Sequence, residues 1–239
     1  MLLNGHLTLD ISLDMFCDSF TQKPSMTVLT SSTSPLLDAR FHQVIAGLDS
    51  AHRRPANGGP RNSSERDPHA YIDYGFSIFP EQGDLIYLLC RTIGARRVAE
   101  FATSIGMSTL YFAAAMRDNG GGLVIGSELV PEKAAAAQRN LEAAGLLQWT
   151  DIRLGDARQT LRNLGGPIDF MLIDGWPGGA GPSLALQVME IVAPQIRSGG
   201  LVMNDNGEAD YLDYVRNPAN GFRSMSLPLK GGTELSLKL

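Results

Sequence analysis

In the second half of the chain, apolar runs of strand length alternate with longer stretches whose apolar residues recur at helical spacing. Arg97 to Phe101 reads as a strand and Ser108 to Arg117 as a helix. Leu123 to Glu128 reads as a second strand, followed by a helix over Pro131 to Ala144 closed by Gly145. The rhythm continues through strand Asp151 to Leu154, the strongly apolar strand Ile168 to Ile173, a helix over Leu184 to Ile196, and a buried strand Leu201 to Met203. Such alternation predicts an α/β fold with a doubly wound, mostly parallel sheet. Upstream, Leu36, Leu37, Phe41, Val44, Ile45 and Leu48 recur at helical spacing between Pro35 and Arg54, and Pro80 to Ile93 is a further helix candidate. At the end of the chain the rhythm breaks. Phe222 to Leu229, the turn Lys230-Gly231-Gly232 and Thr233 to Leu239 predict an antiparallel β-hairpin.

Composition divides the chain unevenly. A Ser/Thr cluster at Thr30 to Ser34 and a Pro-, Gly- and Asn-rich stretch from Pro55 to Asp67 mark residues 1–67 as an N-terminal extension, helix and linker. Residues 68–239 are then the functional domain. At 44% hydrophobic and 19% charged residues, the chain has the make-up of a soluble globular protein. Its formal net charge of -5 supplies no general attraction for a phosphate backbone, so no nucleic-acid partner is expected. Met1, Leu2 and Leu3 begin no signal peptide, because Asp10 and Asp14 interrupt the run and no basic cluster precedes it. No stretch reaches the apolar length of a membrane span. Cys17 and Cys90 suggest neither a disulfide framework nor a zinc site, and His6, His42, His52 and His69 show no ligand spacing. A cytoplasmic protein with no membrane partner is expected.

The candidate chemistry sits at strand ends. The stretch Val98-Ala-Glu-Phe-Ala-Thr-Ser-Ile-Gly-Met-Ser-Thr109 is a strand ending in an acid and then a loop of small residues. It resembles the first motif of the catechol and caffeoyl-CoA type O-methyltransferases, which use S-adenosylmethionine (SAM). The resemblance covers the chain from about Pro80 onward, including Pro80-Glu-Gln-Gly83 at the cofactor border and the terminal hairpin, and implies the Rossmann-like SAM methyltransferase fold. Ligands of open α/β sheets bind at the carboxyl ends of strands, where Glu100 attracts the ammonium of SAM and repels a dinucleotide pyrophosphate. Gly106 and Ser108 match the family, whereas Ala102 and Ser104 stand where it usually carries glycines. Glu128 matches the acid that accepts ribose hydroxyls, and is alternatively a cap for the helix after Pro131. Gly155-Asp156-Ala157 matches the adenine-side turn, with Asp156 alternatively a helix N-cap.

Ile168-Asp-Phe-Met-Leu-Ile-Asp-Gly-Trp176 and Leu201-Val-Met-Asn-Asp-Asn206 resemble the strands that carry the metal site of this family. The resemblance assigns Asp174, Asp205 and Asn206 to a divalent cation, Mg²⁺ by the hardness of the oxygen donors, and gives Asp174 a catalytic place and a place beside the cofactor. Asp and Asn also end strands simply as turn formers. Trp176 matches a residue that walls the cofactor or substrate pocket, or else packs. Where catechol-type enzymes carry a lysine base, this chain has Pro177, and a proline accepts no proton. The implied activity is methyl transfer from SAM to an oxygen of a small, phenolic or catechol-like acceptor, with a homodimer expected from relatives. Pro177 and the altered loop keep open a non-catalytic SAM- or metabolite-binding homologue. An NAD-dependent oxidoreductase is the other competitor.

Overall fold

The computed structural model describes residues 34–51, 67–72, 77–175, 181–205, 207–230 and 232–239. Trp176, Pro177, Asn206 and the expected linker up to Arg66 lie outside these residues. Among the described residues, one sheet contains β1 (Arg97–Phe101), β2 (Leu123–Glu128), β3 (Thr150–Leu154), β4 (Ile168–Ile173), β5 (Ile196–Asp205), β6 (Phe222–Leu227) and β7 (Thr233–Lys238). Their order is β3-β2-β1-β4-β5-β7-β6. The pairings among β1 to β5 are parallel, and β7 runs antiparallel to both β5 and β6. The doubly wound sheet and its terminal hairpin are therefore as the sequence predicts.

Side chains alternate across the sheet and build two cores. Val98, Phe170, Leu172, Leu201 and Met203 face one cluster, while Ala99, Met171, Ile173 and Val202 face the other. The first core is closed by α1 (Ala39–Ala51), α2 (Pro80–Thr92), α3 (Met107–Asp118) and α4 (Pro131–Ala143). The second is closed by α5 (Ala157–Thr160), α6 (Leu184–Val192) and α7 (Ala209–Arg216). In α3 the fully buried Ala113, Ala114 and Ala115 let the helix lie close to the sheet, and Phe112 meets Phe170 edge-on at 5.2 Å between ring centroids. The helix expected upstream, α1, places Phe41 edge-on against Tyr111 at 4.9 Å. No helix of the described residues is long and apolar enough to cross a membrane.

Two elements depart from the expectation. The helix expected over Leu184 to Ile196 ends at Val192, because Pro194 offers no N–H and its ring opposes the carbonyl four residues back. The released chain turns into β5 at Ile196, which pairs with Ile168, so the strand starts well before Leu201. Helix α7 carries no predicted element. Only Tyr211 and Val215 of its residues are buried, too short an apolar stripe to register as a helical pattern.

Candidate functional site

The strand register lines up the carboxyl ends that matter. Phe101 of β1 pairs with Ser127 on β2 and with Ile173 on β4, and Ile173 pairs with Asn204 on β5. Glu128, Asp174 and Asp205 each follow one of these paired residues, so the three acids leave one edge of the sheet. The chain runs from β1 to β2 on one side, while β4 lies on the other, which makes this edge the topological switch point where open α/β sheets bind ligands.

The loop after β1 is held in a demanding conformation. Ala102 (φ 68°), Ser104 (φ 50°) and Gly106 (φ 89°) all adopt left-handed backbone. For Ala102 and Ser104, which carry a Cβ, this comes at a steric cost of about 1–2 kcal/mol per residue. Hydrogen bonds compensate. The amides of Ala102 and Thr103 donate to Ser127 O at 3.1 and 3.0 Å, and Asn140 Nδ2 donates to Ile105 O at 2.8 Å. Gly106 starts α3, and a Cβ there would stand 3.1 Å from Ala137 Cβ, so glycine lets α4 approach.

Glu100 lies beneath this loop, 1% exposed, and accepts hydrogen bonds from the hydroxyls of Ser108, at 2.7 Å, and Thr109. Burial pushes its carboxyl above the usual range, and the hydroxyls of Thr109, Ser108 and Thr103 offset only part of that. The hydroxyl of Ser108 is thus turned inward, toward the acid. Glu128 is also buried, yet its two oxygens point into the loops: Oε2 accepts from Ser104 N at 2.7 Å and Oε1 from Val130 N at 2.9 Å. Ser104 Oγ is buried with no hydrogen-bond partner among the described residues. A carboxylate with lone pairs to spare beside an unsatisfied hydroxyl fits a ligand rich in hydroxyl and amino groups.

On the far side, Gly155 (φ 134°) closes β3 by donating to Glu128 O at 2.8 Å. Asp156 caps α5 through Arg158 N at 2.8 Å and pairs with the Arg158 guanidinium, whose hydrogen bonds hold its carboxyl below the ordinary range. The capping alternative is therefore realised, and Ala157 heads the helix, buried beside the turn.

The ends of β4 and β5 carry the third part. Asp174 is half-buried, its amide donating to Phe101 O at 3.4 Å, and a Cβ on Gly175 would collide with the Phe101 ring at 1.8 Å. Asp205 is 2% exposed, and side chains from two distant segments surround it. Lys230 Nζ donates to Oδ2 at 2.5 Å, and Gln82 Nε2 donates to Oδ1 at 3.0 Å. Gln82 also donates to Thr233 Oγ1 at 3.0 Å and accepts from Phe79 N at 2.9 Å. Among the described residues no group of three or more His, Cys, Asp or Glu side chains could hold a metal ion. With an ammonium on one oxygen and an amide on the other, Asp205 does not fit the expected cation-ligating role. Gln82 lies in the motif that the sequence flags as bordering the cofactor, but no local pattern ties it or Lys230 to Asp205.

A methyltransferase-domain profile matches residues 100–207. The chain is 37% identical over 102 residues to a catechol O-methyltransferase of Niastella koreensis, a match covering 41% of this chain and 45% of that protein. It is 31% identical over 145 residues to a catechol O-methyltransferase of Mycobacterium tuberculosis, covering 56% of this chain and 63% of the relative. The chain thus spans about half the length of these curated relatives. In fold it is similar to an O-methyltransferase from Bacillus cereus in complex with SAH, with a TM-score of 0.60 and 21% identity over 84% of this chain and 91% of the other.

Proposed function

We propose that this chain is a class I SAM-dependent methyltransferase and that it transfers a methyl group from SAM to an oxygen of a small phenolic acceptor, a reading supported by the methyltransferase-domain match and the catechol O-methyltransferase relatives. The observation that carries the reading is Glu128, aimed by Ser104 N and Val130 N into a loop that holds an unsatisfied Ser104 hydroxyl. In this reading Glu128 accepts the two ribose hydroxyls, and the left-handed loop from Ala102 to Gly106 brings its backbone against the methionine end. Glu100 acts from below, adding negative charge and fixing the first turn of α3 through Ser108 and Thr109. Asp156 and Ala157 border the adenine, and Asp174 borders the cofactor at the end of β4.

When bound, SAM would supply an electrophilic methyl, the oxygen–carbon bond forming as the carbon–sulfur bond breaks with its electron pair left on sulfur and the acceptor's proton released to solvent. The chain's own part is to hold the acceptor oxygen in line with the methyl group.

The test is calorimetry with SAM, together with mass spectrometry on a panel of catechols and monophenols. Glu128→Ala is expected to weaken SAM binding by about 1.5–3 kcal/mol, since both hydroxyls lose a charged acceptor. Unchanged affinity in a folded variant would remove the ribose assignment. Tight SAM binding without product from any acceptor would leave a cofactor-binding protein instead of an enzyme.

A further inference from the structure

Asp205 is buried at the end of β5. A carboxylate this buried needs a compensating charge, and Lys230 provides it from within the chain. Two separate segments converge to hold that ammonium. Asp205 at the end of β5 accepts one N–H, Ser77 O ahead of α2 accepts a second at 3.1 Å, and the Phe79 ring lies 5.7 Å away. Lys230 itself sits in the hairpin turn with left-handed backbone, φ 50°, a conformation a lysine adopts only where its surroundings impose it. Gln82 completes the arrangement: its oxygen is committed to Phe79 N, so its amide must donate, and its two acceptors are Asp205 and Thr233.

We propose that Lys230 is a built-in cation, standing where the family resemblance implies a divalent ion, and that this chain binds and orients its acceptor oxygen without metal. The proposal rests on the methyltransferase reading for the acceptor, but its exclusion of metal does not. Asp174 and Asp205 together offer two negative charges, and Lys230 cancels one of them. A divalent ion on Asp205 would lie within a few ångströms of the ammonium and be repelled by it. Of three ammonium donors, two are committed within the described residues, and the side chain is 20% exposed. The remaining donor is available to an acceptor oxygen, as a phenolate would require.

The experiment titrates chelator-treated full-length protein with Mn²⁺, followed by electron paramagnetic resonance with and without SAM. The wild type is expected to show no saturable site tighter than about 1 mM, whereas Lys230→Ala gains a site at least roughly tenfold tighter. Lys230→Ala should also gain thermal stability from Mg²⁺, because the ion then supplies the compensating charge that Asp205 loses with the ammonium. Lys230→Arg should behave as wild type. A stoichiometric Mn²⁺ site in the wild type overturns the proposal, as does a folded Lys230→Ala that binds Mn²⁺ no better. The wild-type titration decides even if Lys230→Ala does not fold. Calorimetry with SAM on the same samples reports separately: loss of SAM binding by wild type would sink the methyltransferase reading and leave the metal result standing.

Discussion

Ala102 and Ser104 show how much a single dihedral angle asks of this site. Both occupy positions where the resembling family carries glycine, and both retain the glycine-like backbone, so the loop's shape is imposed by its hydrogen bonds to Ser127 and Glu128. Ala102→Gly relieves the steric cost of a Cβ in left-handed backbone but makes the unfolded chain freer. The first effect is the larger, and the variant should be more stable by about 0.5–1 kcal/mol. A higher denaturant midpoint at unchanged slope checks this, and a lower midpoint would mean that the loop is not under strain.

Strand ends opposite the site show how elements are pinned to one another. Asp169, in β4, accepts from the amides of Arg96 and Arg97 at 2.7 and 2.9 Å and pairs with Arg197 in β5 at 2.6 Å, so one carboxylate fixes the register of three strands. Burial alone would push its carboxyl up. The Arg197 guanidinium and the two amides outweigh that and hold it below the usual range. A depressed folded value means stability that is present above the unfolded value near 3.8 and is lost as pH falls through the folded one. Asp169→Asn should therefore cost about 1.5–3 kcal/mol at neutral pH, and its unfolding curve should converge with that of wild type in strong acid. A gap that persists unchanged across that pH range would assign the loss to packing instead.

For the molecule as a whole, α1 belongs to the same compact unit as the sheet, which extends from Ser34 to Leu239. Phe41 is fully buried against Tyr111, and Arg40 Nη2 donates to the Glu142 carbonyl at the end of α4 at 2.9 Å. Truncating that ring leaves a cavity between α1 and α3. Phe41→Ala should cost about 3–5 kcal/mol, read as a shift of one cooperative unfolding transition. A separate early transition, with the main one unmoved, would show that α1 folds independently of the sheet.

Much of this protein is written locally. The strands Ile168 to Ile173 and Leu123 to Glu128 are legible because burial on both faces demands near-continuous apolar runs, and the acids that end them follow from the same reading. Gly145 is legible because a helix exit commonly needs left-handed backbone, and Gly106 because it matches the resembling family's loop. Asp205 is legible as a strand-end acid, but its partners are not. Lys230 lies 25 positions along the chain and Gln82 lies 123 positions back, and only the antiparallel return of β7 onto β5, with Asp205 opposite Thr233, brings them together. Periodicity records which face of an element is buried, whereas the partner of a buried charge is set by strand register between distant segments. The sequence alone determined the sheet, its ligand-binding edge and the acids placed there, while the tertiary structure decided that one of those acids is neutralised by a lysine of the same chain.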